Sequence, residues 1–145
     1  MTAYTFIPAT PDTAVVRVEQ IDHIVLRVAD PEASVRWYTE KFGFMVHRLE
    51  EFRAGTVPFP SVEVRPGQIL DLDARREKTG TNVSHFALVI GETDLFALKE
   101  RFEVAEGPYR RWGALGPADL LYINDPDGNT IELRHYGPSQ VNPGA

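Results

Sequence analysis

The chain has 145 residues, 43% of them apolar, a formal net charge of −6 and no cysteine. That length suits one ordinary domain with a real core, and the acidic balance, with no basic block beyond Arg110-Arg111, argues against nucleic acid or anionic membrane as partners. Without cysteine there are no disulfides, thiolate ligands or cysteine nucleophile, so any transition-metal site must use imidazole and oxygen; this fits a cytoplasmic protein, and no apolar run approaches bilayer length.

In chain order, the N-terminal stretch is rich in Pro and Thr, and a loosely ordered extension is expected over residues 1–17. It has neither the basic start nor the apolar run of a signal peptide. His23 to Val28 alternates with strand period. Asp30 as N-cap and Pro31 in the first turn then predict a helix to about Phe42, stopped by Gly43. Strands are expected near Phe44 to Glu50, Val62 to Val64 and Ile69 to Asp73. A second series follows: a strand over His85 to Ile90, a helix over Asp94 to Phe102, and a short or irregular strand near Val104 to Gly107. A Gly/Pro-broken loop runs through Pro117, and strands over Leu120 to Ile123 and Thr130 to Arg134 close the series. Between these two, Asp125-Pro126-Asp127-Gly128 is a turn signal, with proline presetting one φ and glycine accepting a positive one. Residues 137–145 read as a flexible tail.

The two series are copies of one another. Asp22-His23-Ile24-Val25-Leu26-Arg27-Val28 resembles Ser84-His85-Phe86-Ala87-Leu88-Val89-Ile90 at an offset of 62. Gly67-Gln68-Ile69-Leu70-Asp71-Leu72 resembles Gly128-Asn129-Thr130-Ile131-Glu132-Leu133 at an offset of 61. The helical residues Val35, Tyr38 and Phe42 are answered by Leu95, Leu98 and Phe102 at 60. Three matches at nearly one spacing define an internal repeat. Its modules span about residues 18–78 and 79–136, together one domain over 18–136.

Strand parity assigns the faces. Ile24, Leu26 and Val28, like Phe86, Leu88 and Ile90, form the face packed on a helix, which leaves His23 and His85 on the other. Leu70 and Leu72, like Ile131 and Leu133, also pack, so Asp71 and Glu132 share the histidines' side of a curved sheet. A lone strand histidine is usually structural, and a lone strand glutamate usually faces solvent. Four polar residues at repeat-equivalent places are a different matter, because burying carboxylates without partners is costly and a shared cation solves it. His47 and His135 have no such support and are read as structural or surface residues.

These features resemble the vicinal oxygen chelate superfamily, which groups glyoxalase I, extradiol dioxygenases, fosfomycin-resistance enzymes and bleomycin-resistance proteins. The resemblance is carried by Ile21-Asp22-His23-Ile24-Val25-Leu26-Arg27-Val28, by Ser34-Val35-Arg36-Trp37-Tyr38 with Phe42-Gly43-Phe44, and by Asp125-Pro126-Asp127-Gly128-Asn129-Thr130-Ile131-Glu132-Leu133. It implies an α+β fold of two tandem βαβββ modules, a partly open, curved mixed sheet or barrel with helices outside. Within that family His23, His85 and Glu132 match the metal ligands shared by the dioxygenase and fosfomycin-resistance branches. Asp71 stands where glyoxalase I has a fourth, glutamate ligand and is one methylene shorter. Tyr122, ten residues before Glu132, matches a catalytic tyrosine of extradiol dioxygenases, whereas that branch's additional catalytic histidine has no counterpart. The resemblance also implies a homodimer, with modules pairing within one chain or across two.

Two neutral imidazoles and one carboxylate leave a divalent site at net +1; a second carboxylate brings it to zero. Such ligands suit Fe, Mn, Co, Ni or Zn and the activation of a small oxygen-chelating substrate, with Glu132 or Asp71 as proton-transferring base. Arg110 or Arg111 is a candidate for holding a distal anionic group, and Trp112 and Tyr109 for lining an aromatic pocket. The expected function is thus a lyase/isomerase or dioxygenase dependent on a divalent metal. The alternative is a non-catalytic protein that sequesters a small molecule in the same cavity, as bleomycin-resistance proteins do.

Overall fold

The structure is a computed structural model that describes residues 21–77, 80, 85–113 and 116–144. The N-terminal extension expected over 1–17 and the module boundary expected at 78–79 lie outside the described residues. The elements in order are β1 (His23–Arg27), α1 (Pro31–Phe42), β2 (Met45–His47), α2 (Leu49–Arg53), β3 (Ser61–Arg65) and β4 (Gln68–Asp73). They continue with β5 (Phe86–Val89), α3 (Leu95–Arg101), β6 (Tyr109–Gly113), β7 (Gly116–Asn124) and β8 (Thr130–His135). Two open four-stranded mixed sheets result, ordered β1-β4-β3-β2 and β5-β8-β7-β6. The fold is the tandem α+β arrangement, and the repeat holds to the residue: parallel pairing sets Val25 beside Asp71 in one sheet and Ala87 beside Glu132 in the other. Among the described residues no helix is long and apolar enough to cross a membrane.

The chain divides into two compact units, and the loop 125–129 belongs to the first although its sequence joins β7 to β8. In the first unit Leu26, Val28, Val35, Tyr38, Val62, Leu70 and Leu72 are buried. The α1 helix begins where Asp30 accepts bonds from the amides of Glu32 and Ala33, and it ends at Gly43, whose φ of 68° lets its amide close on Thr39. Asp125 is buried there and accepts bonds from the Tyr38 hydroxyl (2.8 Å) and from the Asp127 and Asn129 amides. Burial, and then the charge of Asp125, push the Tyr38 hydroxyl far above its usual pKa, so it remains a neutral donor. Asp127 in turn accepts from the Ala29 amide at 2.9 Å. The motif read as a turn is therefore also a bolt on α1.

In the second unit Leu95, Leu121, Ile123, Ile131 and Leu133 form the buried set, and Asp94 caps α3 as Asp30 caps α1. Asp119, fully buried, accepts bonds from Arg110 Nη1, Ser139 Oγ and the Gln140 amide. The Gln140 side chain accepts from the Leu95 amide and donates to the Thr93 carbonyl, so the segment after β8 is tied to the start of α3. Burial works to raise the Asp119 pKa, yet the bonds from Gln140, Ser139, Arg110 and Val141 prevail and hold it low.

Two expectations need correction. The strand expected over Phe44 to Glu50 ends at His47; Arg48 adopts a left-handed φ of 63° and starts α2 instead. Nothing local demands that conformation of an arginine. The strand expected near Val104 to Gly107 is absent, and the ordered partner of β7 is β6, in what read as a broken loop. As an edge strand it carries charge in place of apolar alternation, and Pro117 is tolerated opposite Trp112 near the hairpin end.

Candidate functional site

Each sheet presents one imidazole–carboxylate pair. In the first, the Nε2 of His23 lies 3.7 Å from Asp71 Oδ2; in the second, the Nε2 of His85 lies 3.6 Å from Glu132 Oε1. Both histidines are substantially exposed, and both carboxylates are 5% exposed. These separations exceed ordinary hydrogen bonds. Two donors that sit ~2.1 Å from one ion at 90–120° are roughly 3.0–3.6 Å apart; the second pair falls at the upper end of that range and the first just beyond it.

In the first pair the atoms that do not face one another are engaged, and in the second the far oxygen of Glu132 is. His23 Nδ1 donates to Asp22 Oδ1 at 2.6 Å, which fixes the tautomer and leaves Nε2 its lone pair. This bond first, and the Asp71 charge second, raise the His23 pKa above its usual value. Asp71 Oδ1 accepts from Ser61 Oγ at 2.5 Å and from Arg48 Nη2 at 3.4 Å, while Arg48 also donates to Ser61 at 2.6 Å. Arg48 and Arg75 lie on the Phe59 ring, at 5.2 and 5.1 Å. Glu132 Oε2 accepts from Arg134 Nη1 at 2.7 Å, and Arg134 Nη2 donates to the carbonyls of Arg111 and Gly116. In each pair one carboxylate oxygen is held by a guanidinium and the other faces the imidazole. The donors fit single-oxygen ligation of a divalent ion by each carboxylate.

Contrary to expectation, the two carboxylates do not lack partners: Arg48 and Arg134 supply counter-charges within the chain. Among the described residues no group of three or more His, Asp or Glu side chains is gathered as a complete metal cluster. Arg134 could have been found from the sequence, since it lies two residues from Glu132 and shares its face; Arg48 gave no signal. Of the other candidates, Tyr122 pairs with Glu132 across β7 and β8, and its ring stands edge-on to the His85 ring at 5.8 Å. Arg111 lies over Tyr109 at 4.4 Å and over Tyr122 at 5.7 Å. Arg110 is bound to Asp119, and Trp112 is 81% exposed. His47 meets Glu63 at 3.1 Å, and buried His135 has an Nδ1 without a partner among the described residues.

Residues 20–133 match the family model of the Glyoxalase/Bleomycin resistance protein/Dioxygenase superfamily. The chain belongs to that superfamily. Within the glyoxalase superfamily it is 31% identical over 124 residues to "Virulence protein STM3117" of Salmonella typhimurium, covering 82% of this chain and 85% of that one. A protein of Vibrio parahaemolyticus named "Probable lactoylglutathione lyase" is 30% identical over 124 residues, covering 79% and 88% of the two chains. Among solved structures, that of the Salmonella protein superimposes with a TM-score of 0.65 at 26% identity, covering 84% of this chain and 100% of that one. A glyoxalase/dioxygenase from Nostoc punctiforme gives 0.62 at 26% identity, covering 88% and 98%. Membership of the superfamily accounts for the tandem α+β fold.

Proposed function

We propose that the chain is a metal-dependent enzyme in which His23, His85, Glu132 and Asp71 hold one divalent ion of the Fe, Mn, Co, Ni or Zn group. The observation that carries this reading is the repeated geometry: an imidazole Nε2 and one carboxylate oxygen 3.6–3.7 Å apart in both sheets, with every other polar atom of the carboxylate already engaged. When bound, the ion supplies Lewis-acid polarisation of vicinal oxygens on a small substrate. The protein's own residues do the rest. Arg48 and Arg134 hold the two carboxylates to single-oxygen ligation, Tyr122 offers a hydroxyl on the Glu132 face, and Glu132 or Asp71 is the proton acceptor for a lyase/isomerase reaction. A dioxygenase reaction would use His23, His85 and Glu132. The protein is proposed to act in the cytoplasm as a homodimer, with modules pairing within one chain or across two.

The test is elemental analysis after mild purification, with divalent ions titrated into the apo protein. About one ion per His23/His85/Glu132/Asp71 set is expected, lost in His85→Ala while the circular dichroism spectrum is kept. Less than a tenth of an equivalent, with no affinity on titration, would overturn it.

One observation favours a second reading. Because Arg48 and Arg134 already balance both carboxylates, the faces are stable without a cation, as a sequestering protein of the bleomycin-resistance type requires. Ligand affinity indifferent to metal would select that reading.

A further inference from the structure

Arg111 differs from the other arginines of its sheet. Arg110 is paired with buried Asp119 at 3.1 Å and Arg134 with Glu132 at 2.7 Å, whereas among the described residues no carboxylate pairs with Arg111. Its position is nonetheless fixed. Its guanidinium carbon lies 4.4 Å from the centre of the Tyr109 ring and 5.7 Å from that of Tyr122, and Nη1 is 3.5 Å from the Tyr122 hydroxyl. Glu106 accepts a bond from the Tyr109 hydroxyl at 2.8 Å, which leaves the ring face to the guanidinium. Arg134 also donates to the Arg111 carbonyl, so the strand beneath the side chain is held from the Glu132 side. An exposed guanidinium packed against two aromatic rings has lost much of its rotational freedom before any ligand arrives, and its in-plane N–H groups stay open to a planar anion.

Charge and register point the same way. On this face Glu132 is paired with Arg134, which leaves Arg111, beside the Tyr122 hydroxyl, without a carboxylate partner among the described residues. The Arg111 guanidinium, the Tyr109 ring and the Tyr122 ring are mutual neighbours at 4.4, 5.7 and 6.5 Å, and the Tyr122 ring in turn meets the His85 ring at 5.8 Å, so the open cation stands one aromatic ring from the candidate ligand histidine. We infer that Arg111, with the Tyr122 hydroxyl beside it, is the seat of a carboxylate, and that the substrate is a small anionic molecule carrying a carboxylate at one end and vicinal oxygens at the other. Trp112 points from the opposite side of the same strand and takes no part, and Arg110 is spent on Asp119. The carboxylate seat stands on the second unit alone; only the placing of the vicinal oxygens rests on the proposed metal site.

Catechol and 3,4-dihydroxybenzoate differ by one carboxylate and share the same vicinal oxygens, so they separate the two parts. Both are titrated by calorimetry into the zinc-loaded and the metal-free full chain, for the wild type, Arg111→Gln and Arg111→Lys. In the zinc-loaded wild type the carboxylate is expected to tighten binding about tenfold or more, as a charged hydrogen-bonded contact does. Arg111→Gln brings that ratio near one with catechol unchanged, and Arg111→Lys, which keeps charge but not the planar fork, retains part of it. In the metal-free protein, binding of 3,4-dihydroxybenzoate is weaker and still falls on Arg111→Gln. A ratio near one in the wild type, a ratio unaltered in Arg111→Gln, or no binding of 3,4-dihydroxybenzoate to either form overturns the seat. Zinc that fails to tighten either compound overturns the metal reading and leaves the seat standing.

Discussion

The two modules keep the same imidazole–carboxylate pair and surround it differently. In the first, Asp71 is held by Ser61 and by Arg48, which reaches it from a left-handed turn and packs on Phe59. In the second, Glu132 is held by Arg134 from its own strand, and the residue across from it is Tyr122, at the register position that Ser61 fills in the first sheet. The two copies thus share what faces the proposed ion and differ in what surrounds it. One copy became a closed polar clamp. The other gained an aromatic shelf with an open guanidinium, so selectivity for a ligand should reside in the second module and the first should mainly hold its acid in place.

Substitutions can break that comparison. The largest effect is expected from Arg134→Met, which leaves Glu132 buried without its guanidinium; urea unfolding should show a loss of about 3–5 kcal/mol. Arg48→Met should lose only about 1 kcal/mol, because the Arg48 side chain is 42% exposed and Ser61 remains on Asp71. Equal losses would mean that the two clamps are equivalent after all. Metal affinity should fall more than about 100-fold in Glu132→Gln, beyond the ~10–100-fold typical of outer-shell partners, and less in Asp71→Asn, where the acid is shorter. The reverse order in a competition titration would move the main ligand to the first module. Tyr38→Phe should cost roughly 1–3 kcal/mol by leaving buried Asp125 one donor short, and an unchanged unfolding midpoint would remove the bolt on α1.

The smallest effect concerns pH. Asp119 is held below the ordinary carboxylate pKa of ~3.9, so it contributes stability that is fully present above that value and is lost as pH falls through its lower folded value. The stability difference between wild type and Asp119→Asn should therefore be largest above about pH 4 and shrink below it. A difference constant from pH 2 to 7 would show that the carboxylate's charge is not what the segment after β8 responds to.

Much of this was legible in the sequence because the signals were local. Asp30, Pro31 and Gly43 delimit α1 by chemistry that acts within a turn, and alternation along β1 and β5 assigned the faces on which His23 and His85 stand. What escaped was set by distant partners. Arg48 takes its turn because Ser61, Asp71 and Phe59 lie within reach. The β6 strand is ordered by pairing with β7, since its own Tyr-Arg-Arg-Trp pattern carries no apolar period. Asp119 reads as one polar residue in a strand until Ser139 and Gln140 arrive from twenty residues away. The guanidinium partners of the two acids follow the same division: Arg134 shares a strand face with Glu132 and could be read, Arg48 could not.

The bond from Tyr38 to Asp125 bears on how such a duplicated gene can be divided again. Splitting the chain between the copies would give a leading fragment whose tyrosine points into its interior with no acceptor, because the acid that serves it is encoded beyond the cut, in the trailing fragment. Neither half-gene would specify a finished module. Two carboxylates from the trailing copy, Asp125 and Asp127, are thus part of what completes the leading one.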